Sequence, residues 1–481
     1  MRGFLASSIG VTCAAALALP LTLPSTTARA ATPGAKTAPT TKTAPSTKTA
    51  PSTKTAAPST KAAPNAKTAP SAEGIPGSTQ SLPLAPLAAD RSAAPAEREQ
   101  GLTRRDVRPF SLVGVVWDDP ADELHGTVQV RTRATGTTTW SGWQGVETHN
   151  HEHAADPDTM ERGSGRLRGS TAPLWVGDSD GVEIRVRAES DRRAGHAPAL
   201  LPEGLRLELV DPGDEPPPRG GPAEVPRATA MSAEAAAASA VNADLAPLDA
   251  AVIPELTKRQ TEADLIAARG GREVVGKVRP YIGPRPRITT RKGWGADERI
   301  RERDFAYTRT VKAAFVHHSA SGNNYRCSEA GSVLRSIYRY HVRSSGWRDF
   351  GYNFAVDKCG NIYEGRAGGV AKPVLGAHTR GFNANSTGIA VLGTYSSANP
   401  PKAAVTAIAR LTAWKLGLYG ANPRGTTYLK SGGGNLFKKG RNVRLRVISG
   451  HRDGFATDCP GSRLYDKLGK ARSSSARMQG R

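Results

Sequence analysis

What most constrains the fold of this chain is where apolar residues are missing. From Ala35 to about Ser71 the sequence repeats "TAPSTK" with small variations. Thr/Ala/Pro/Lys sequence of this kind has almost nothing to bury and is expected to stay disordered, its prolines stiffening it into a spacer. A second poor stretch, from Pro212 to about Pro284, turns to proline, glycine and alanine. Its one helix-like run, "AMSAEAAAASAVNADLAPLDAAV", has no consistent apolar stripe. Folded cores must come from what remains, and 481 residues leave room for two modest domains joined by linkers.

The first candidate domain spans residues 105–211. "TVQVRTR" alternates Val128 and Val130 with polar neighbours, "GVEIRVRA" does so with Val182, Ile184 and Val186, and "GLRLELV" with Leu205, Leu207 and Leu209. Phe110 to Trp117 makes a further strand, ended by Asp118-Asp119-Pro120. Short strands without convincing helices predict a small all-β, sandwich-like domain. Its function is not written in the sequence. His149, His151 and His153 form an H-x-H-x-H run near Asp156 and Asp158. That spacing can hold a metal, but a solvated acidic-basic loop is the expected reading.

The second domain, 285–470, is an α/β unit. "VKAAFVHHS" reads as a buried strand and "SEAGSVLRSIYRYHVRSSGW" as a helix carrying Val333, Leu334, Ile337 and His341. "YNFAVDK" and "IYEGR" form a hairpin across Cys359-Gly360-Asn361, and "STGIAVLGTY" is another strand. Pro400-Pro401 opens a helix, "RNVRLRVISGHRD" is a strand, and "GSRLYDKLGK" closes the domain. This order predicts a mixed sheet with helices on its faces. The flanking segments are read as a leader over 1–30, a disordered repeat segment over 31–104, a linker over 212–284 and a disordered tail over 471–481.

The leader sets the compartment. Arg2, an apolar run from Phe4 to Leu23 and the small-x-small site Ala28-Arg29-Ala30 make a cleavable secretory signal. No later apolar run is long enough to span a bilayer, so a secreted, extracellular or wall-associated chain is expected. Cleavage would remove Cys13 and leave Cys327, Cys359 and Cys459. Cys327 and Cys359 flank one supersecondary unit and are the natural disulfide pair, which leaves Cys459 odd. The formal net charge of +23 attracts polyanions, anionic wall polymers among them. Nucleic acid is not expected, because aromatic-basic interleaving and nuclease motifs are missing.

The odd cysteine lies in "GHRDGFATDCPG", eight residues after His451. Zinc takes His and Cys ligands tetrahedrally, and a catalytic site leaves one position for water. His317 or His318 at one strand end, His451 at another and Cys459 in the following loop make a plausible open set. Neighbouring strand residues point to opposite faces, so only one of the two adjacent histidines can face His451.

"FVHHSA", "DFGYNFAVDKCGNIYEGR", "GAHTRGFNANSTGIAVLGTY" and "GHRDGFATDCPG" resemble the four signature blocks of the peptidoglycan recognition protein family. These are the type 2 N-acetylmuramoyl-L-alanine amidases. The resemblance covers roughly the last two-fifths of the chain and includes the entry segment "RITTRKGWGADE". It implies a zinc-dependent, peptidoglycan-cleaving enzyme with His317, His451 and Cys459 as metal ligands. Tyr352 matches the tyrosine that catalytic members use beside the metal, and Thr457 a position occupied by threonine or lysine. His341, Arg366 and His378 match positions lining the glycan-peptide groove, and a Cys327–Cys359 bridge resembles one seen in the family. The general base is not identified, since no HExxH glutamate is present and a threonine hydroxyl titrates too high. The chain departs from the family after "YEGR", with Ala367-Gly368-Gly369 in place of the usual Gly-Trp. A non-catalytic peptidoglycan binder is the alternative, though such members lose the cysteine ligand. The protein is expected to be monomeric, with the β domain acting as an independent tether.

Overall fold

The computed structural model describes residues 76–87, 99–189, 200–214, 231–269 and 280–481. The expected leader and most of the expected disordered repeat segment lie outside these residues. No helix among the described residues is long and apolar enough to cross a membrane.

In the C-terminal domain, short apolar runs pair into a mixed seven-stranded sheet. Its strand order is Ile448–Gly450, Ala313–His318, Ser386–Val391, Phe354–Val356, Ile362–Glu364, Ile288–Thr289 and Val252–Ile253. The first four run parallel, and Ile362–Glu364 turns back on Phe354–Val356 as a hairpin. Ala313–His318 and Ser386–Val391 are buried throughout, as parallel strands covered on both faces should be. Ala314, Val316 and Ile389 pack with Ile408 and Leu411 of the helix Lys402–Leu418. On the other face, Ala355 and Ala390 pack with Val333, Leu334 and Ile337 of the helix Ala330–Arg339. The Cys327–Cys359 disulfide, with Cα atoms 6.2 Å apart, ties the start of that second helix to the hairpin turn.

Two segments read as unstructured are part of this domain. The expected linker over 212–284 contributes Val252–Ile253 to the sheet edge and a helix, Lys258–Ala268, opened by a Thr257/Gln260 capping box. Ile253 and Leu265 are buried in the core, and Asn242 donates to Glu364 at 2.8 Å. One or two apolar anchors per segment suffice for docking, and that is too few to show as periodicity. The expected tail over 471–481 is helical to Gln479, with Ser475 against Thr412 at 3.1 Å and Gln479 donating to Ala413 O at 3.0 Å.

The N-terminal sheet is antiparallel and built around two long strands, Glu99–Trp117 and Leu174–Ala188. It begins earlier than residue 105, because Pro76–Pro83 pairs with Arg206–Gly213 along its edge. Three register shifts interrupt the pairing of the long strands, and bulges of this kind bend a strand and increase its twist. Val113, Val115 and Trp117 face the domain's own core with Val128, Ile184 and Leu207.

The opposite face of the same strand is not solvated. Leu112 and Val116, with Trp175 and Val210, belong to one apolar cluster with Val333, Leu334, Ile337 and Tyr340 of the C-terminal domain. Phe110–Trp117 is therefore a strand buried on both faces, half in each domain. The fully buried Tyr340 hydroxyl lies between Val115 O at 3.2 Å and Thr171 O at 3.1 Å. The independent-tether expectation does not hold for the described residues, since separating the domains would expose this shared core to water.

Gly114 lies at a close approach of the two domains, where an added Cβ would collide with the Tyr340 ring. That ring is fully buried and its hydroxyl is held by two carbonyls. Gly114→Ala is expected to cost about 1–3 kcal/mol by overpacking. Urea unfolding should show a lower midpoint at unchanged slope, and an unshifted midpoint would mean that the interface is loose.

Candidate metal centre

Parallel pairing brings the C-terminal donors together. Val316 is registered with Gly450, so the chain leaves both strands at the same sheet edge with His317 and His451 side by side. Their ring centroids are 4.6 Å apart. The turn after Gly450 leads into the loop that returns Cys459, and Cys459 Sγ lies 3.7 Å from His317 Nδ1. His318 points the other way, where its Nδ1 accepts from Tyr395 N at 3.2 Å.

A fourth donor comes from the other domain. His153 Nε2 lies 3.2 Å from His451 Nδ1, and the ligand atoms of His153, His317, His451 and Cys459 all lie within 4.8 Å of one another. All four residues are buried. Bonds of about 2.0–2.3 Å at tetrahedral angles separate zinc ligands by roughly 3.3–3.7 Å, which the 3.2 and 3.7 Å edges approach. The opposite ring nitrogens, His451 Nε2 and His153 Nδ1, are buried without a hydrogen-bond partner, so the fit rests on the chemistry and spacing of the converging donor atoms. The donor set fits a tetrahedral cation.

The electrostatics point the same way. Burial, and then the neighbouring histidines, push His317, His451 and His153 well below the ordinary imidazole range. The rings are therefore neutral, the form in which imidazole binds a metal. Burial also pushes the Cys459 thiol well above its usual value, so a thiolate there needs a cation beside it. The Tyr352 ring sits 5.2 Å from His317 and 5.8 Å from His153, and burial drives its hydroxyl well above the ordinary phenol range. Tyr352 stays protonated. A cleft of about 360 Å³ reaches this centre between the His149–His153 segment and the loop carrying Thr457 and Cys459.

Comparison with known proteins places the two halves separately. Residues 307–462 match the family N-acetylmuramoyl-L-alanine amidase, and residues 45–202 match the family Rv3811 N-terminal galactose-binding domain-like. The peptidoglycan-recognition protein SC1a of Drosophila melanogaster is 32% identical over 155 residues, which cover 32% of this chain and 70% of that protein. The chain belongs to the peptidoglycan recognition protein family. The N-acetylmuramoyl-L-alanine amidase of Homo sapiens is 31% identical over 188 residues, 38% of this chain and 28% of that one. Among solved structures, Drosophila PGRP-LB aligns at 26% identity with a TM-score of 0.30, covering 38% of this chain and 91% of that one.

The other residues expected at the site of this peptidoglycan recognition protein fall in different places. His378 is fully buried behind His317, with its Nδ1 3.3 Å from His317 Nε2 and 3.0 Å from Thr379 Oγ1. It stands behind a donor rather than along an open groove. His341 stacks on Trp347 at 4.3 Å, accepts from Gly351 N, and is pushed down to about 3 by burial. Arg366 is sealed, its fork paired with both oxygens of Glu161 at 2.8 and 3.0 Å. Thr457 donates to Glu152 Oε1 at 2.7 Å and accepts from Cys459 N at 3.1 Å.

Glu152 and Glu161 carry no site signal in the sequence, and His153 and Asp156 stand there only in a metal-capable run whose expected reading is a solvated loop. The expectation of a solvated loop holds for exposed His149 and for Asp158, which pairs with Lys439 at the surface. It fails for His153, Glu152, Asp156 and Glu161, all buried. Each of these finds a partner on the facing domain, which a single-segment reading cannot supply. The H-x-H-x-H run was the available signal.

Proposed function

We propose that this chain is a secreted, zinc-dependent peptidoglycan hydrolase. It cleaves the amide between the lactyl group of N-acetylmuramic acid and L-alanine of the stem peptide. The observation that carries this reading is the buried His317, His451 and Cys459 donor set beside Tyr352, in a family whose relatives include proteins named as amidases. Retention of Cys459 favours an enzyme over a non-catalytic binder. Export rests on the leader pattern in residues 1–30.

His317, His451 and Cys459 would hold the zinc, which when bound supplies Lewis acidity toward the amide carbonyl and acidifies water. Around it, each residue has a task. His378 and Thr379 occupy the Nε2 side of His317 and fix its ring, leaving Nδ1 toward Cys459. Tyr352, held protonated by burial, donates its hydrogen to the oxygen that becomes negative as water adds to the carbonyl. Thr457 carries a hydroxyl at the cleft wall that can orient the attacking water. Arg366, paired with Glu161 while the β domain is docked, would offer its planar fork to a carboxylate of the stem peptide once Glu161 is displaced.

Elemental analysis of the purified full chain should find close to one zinc per chain. Digested peptidoglycan should gain free L-alanine amino termini, and 1,10-phenanthroline should stop their release until zinc is returned. Because the cleft is partly filled by the β domain, the assay should include both the wild-type chain and His153→Ala. No new amino termini from either zinc-loaded chain would refute the hydrolase, and full activity without metal would refute the zinc.

A further inference from the structure

We propose that His153 of the β domain is a ligand of the same metal as His317, His451 and Cys459, and that its loop thereby holds the chain in a latent form. The inference rests on the zinc reading above. It concerns what fills the position that a catalytic site of three protein ligands leaves open.

The first observation is the donor count. A set of four protein ligands is the arrangement of a structural zinc site, whereas a catalytic site keeps one position for water. His153 Nε2 stands 3.2 Å from His451 Nδ1, among donors that all lie within 4.8 Å of each other. The histidine stands where water would otherwise enter.

The second is that the rest of the loop consumes the groove's hydrogen-bond donors. Glu161 takes both arms of Arg366 and also accepts from Arg348 N at 3.2 Å. Asp156 accepts from Gly381 N at 2.8 Å and Asn383 Nδ2 at 2.7 Å. Glu152 accepts from Thr457, and its carbonyl accepts from Arg380 N at 2.9 Å. Three acidic side chains and one imidazole thus meet the arginine, the hydroxyl and the metal donors that an anionic peptide substrate would need. The loop imitates the chemistry of a bound ligand.

The third is anchorage. The strand Glu99–Trp117 shares one apolar core with the C-terminal domain, so the domain that carries the loop is held against the groove. Activity then requires the loop to leave, by displacement or by cleavage of the β domain.

The test uses the full chain with cobalt(II) in place of zinc, titrated with azide and followed by the visible ligand-field bands. The cleft admits a small anion, so coordination rather than access decides the outcome. Wild-type bands should be unmoved by azide at concentrations that shift those of His153→Ala. The variant should still bind one cobalt, and its zinc form should release L-alanine amino termini from muropeptides at least tenfold faster. A wild-type spectrum that responds to azide as the variant does would overturn the proposal, with the metal site itself intact. Failure of both chains to bind cobalt would instead overturn the metal reading beneath it. Should His153→Ala lose its thermal transition, Glu161→Gln loosens the loop while keeping all four donors. It should accelerate azide binding and hydrolysis, and unchanged rates would equally overturn the proposal.

Discussion

Cys459→Ser is expected to abolish hydrolysis and to surrender its zinc to a chelator under conditions in which the wild-type chain keeps it. The substitution is nearly isosteric, and Cys459 is only 3% exposed, so the fold should survive. A serine hydroxyl is far harder to ionise than a thiol and does not replace it as a ligand. His153, His317 and His451 would remain while the β-domain loop is seated, and three imidazoles can retain some metal. Once the loop leaves, only His317 and His451 are left, fewer than the three protein ligands of a catalytic site. Losing the Lewis acid cannot cost less than losing one oxyanion donor, which sets a floor of about a hundredfold to a thousandfold in turnover. Metal content and release of L-alanine amino termini are to be measured together. A serine variant that keeps both zinc and activity would remove Cys459 from the site.

The second large effect is expected at Tyr352. Tyr352→Phe removes one hydroxyl and leaves the ring that packs 5.2 Å from His317 and 5.7 Å from Phe350. Zinc content and the thermal transition should be unchanged. If the hydroxyl donates to the developing oxyanion, turnover should fall about a hundredfold or more while KM moves little. The measurement belongs in both the wild-type and the His153→Ala backgrounds, because a seated loop would mask the loss. Near-normal turnover in the open background would assign Tyr352 to packing alone. A fall accompanied by loss of zinc would mean that the ring, rather than its hydroxyl, supports the donors.

Much of the C-terminal domain was legible because its signals are local. Ala313–Val316 and Ile389–Val391 are short apolar runs within strands that are buried throughout, as strands covered on both faces are. Strand alternation already required that only one of His317 and His318 face His451, and the leader and cysteine count together left Cys459 without a disulfide partner. The segments 212–284 and 471–481 carry little local pattern, and their packing into the domain is not visible in sequence. Val252–Ile253 is too short to show a period, and Leu265 is the one apolar residue among the buried positions of the helix Lys258–Ala268.

The sequence by itself determined the main strands and the disulfide pair, since period, spacing and cysteine parity are properties of neighbouring residues. It offered His451 and Cys459 as donors with either His317 or His318, a choice made by the family resemblance. Only the tertiary structure decided that the β domain takes part in the site. "FSLVGVVW" reads as one strand among several, yet its lack of alternation reflects a second buried face supplied by the helix Ala330–Arg339. "HEHAADPD" looks like surface because all its polar groups would need partners if buried, and those partners lie on the other domain. His153 and His451 are 298 residues apart in the chain. Whether a polar loop is solvated or sealed depends on the groups docked against it, and no period within the loop encodes which surface that will be.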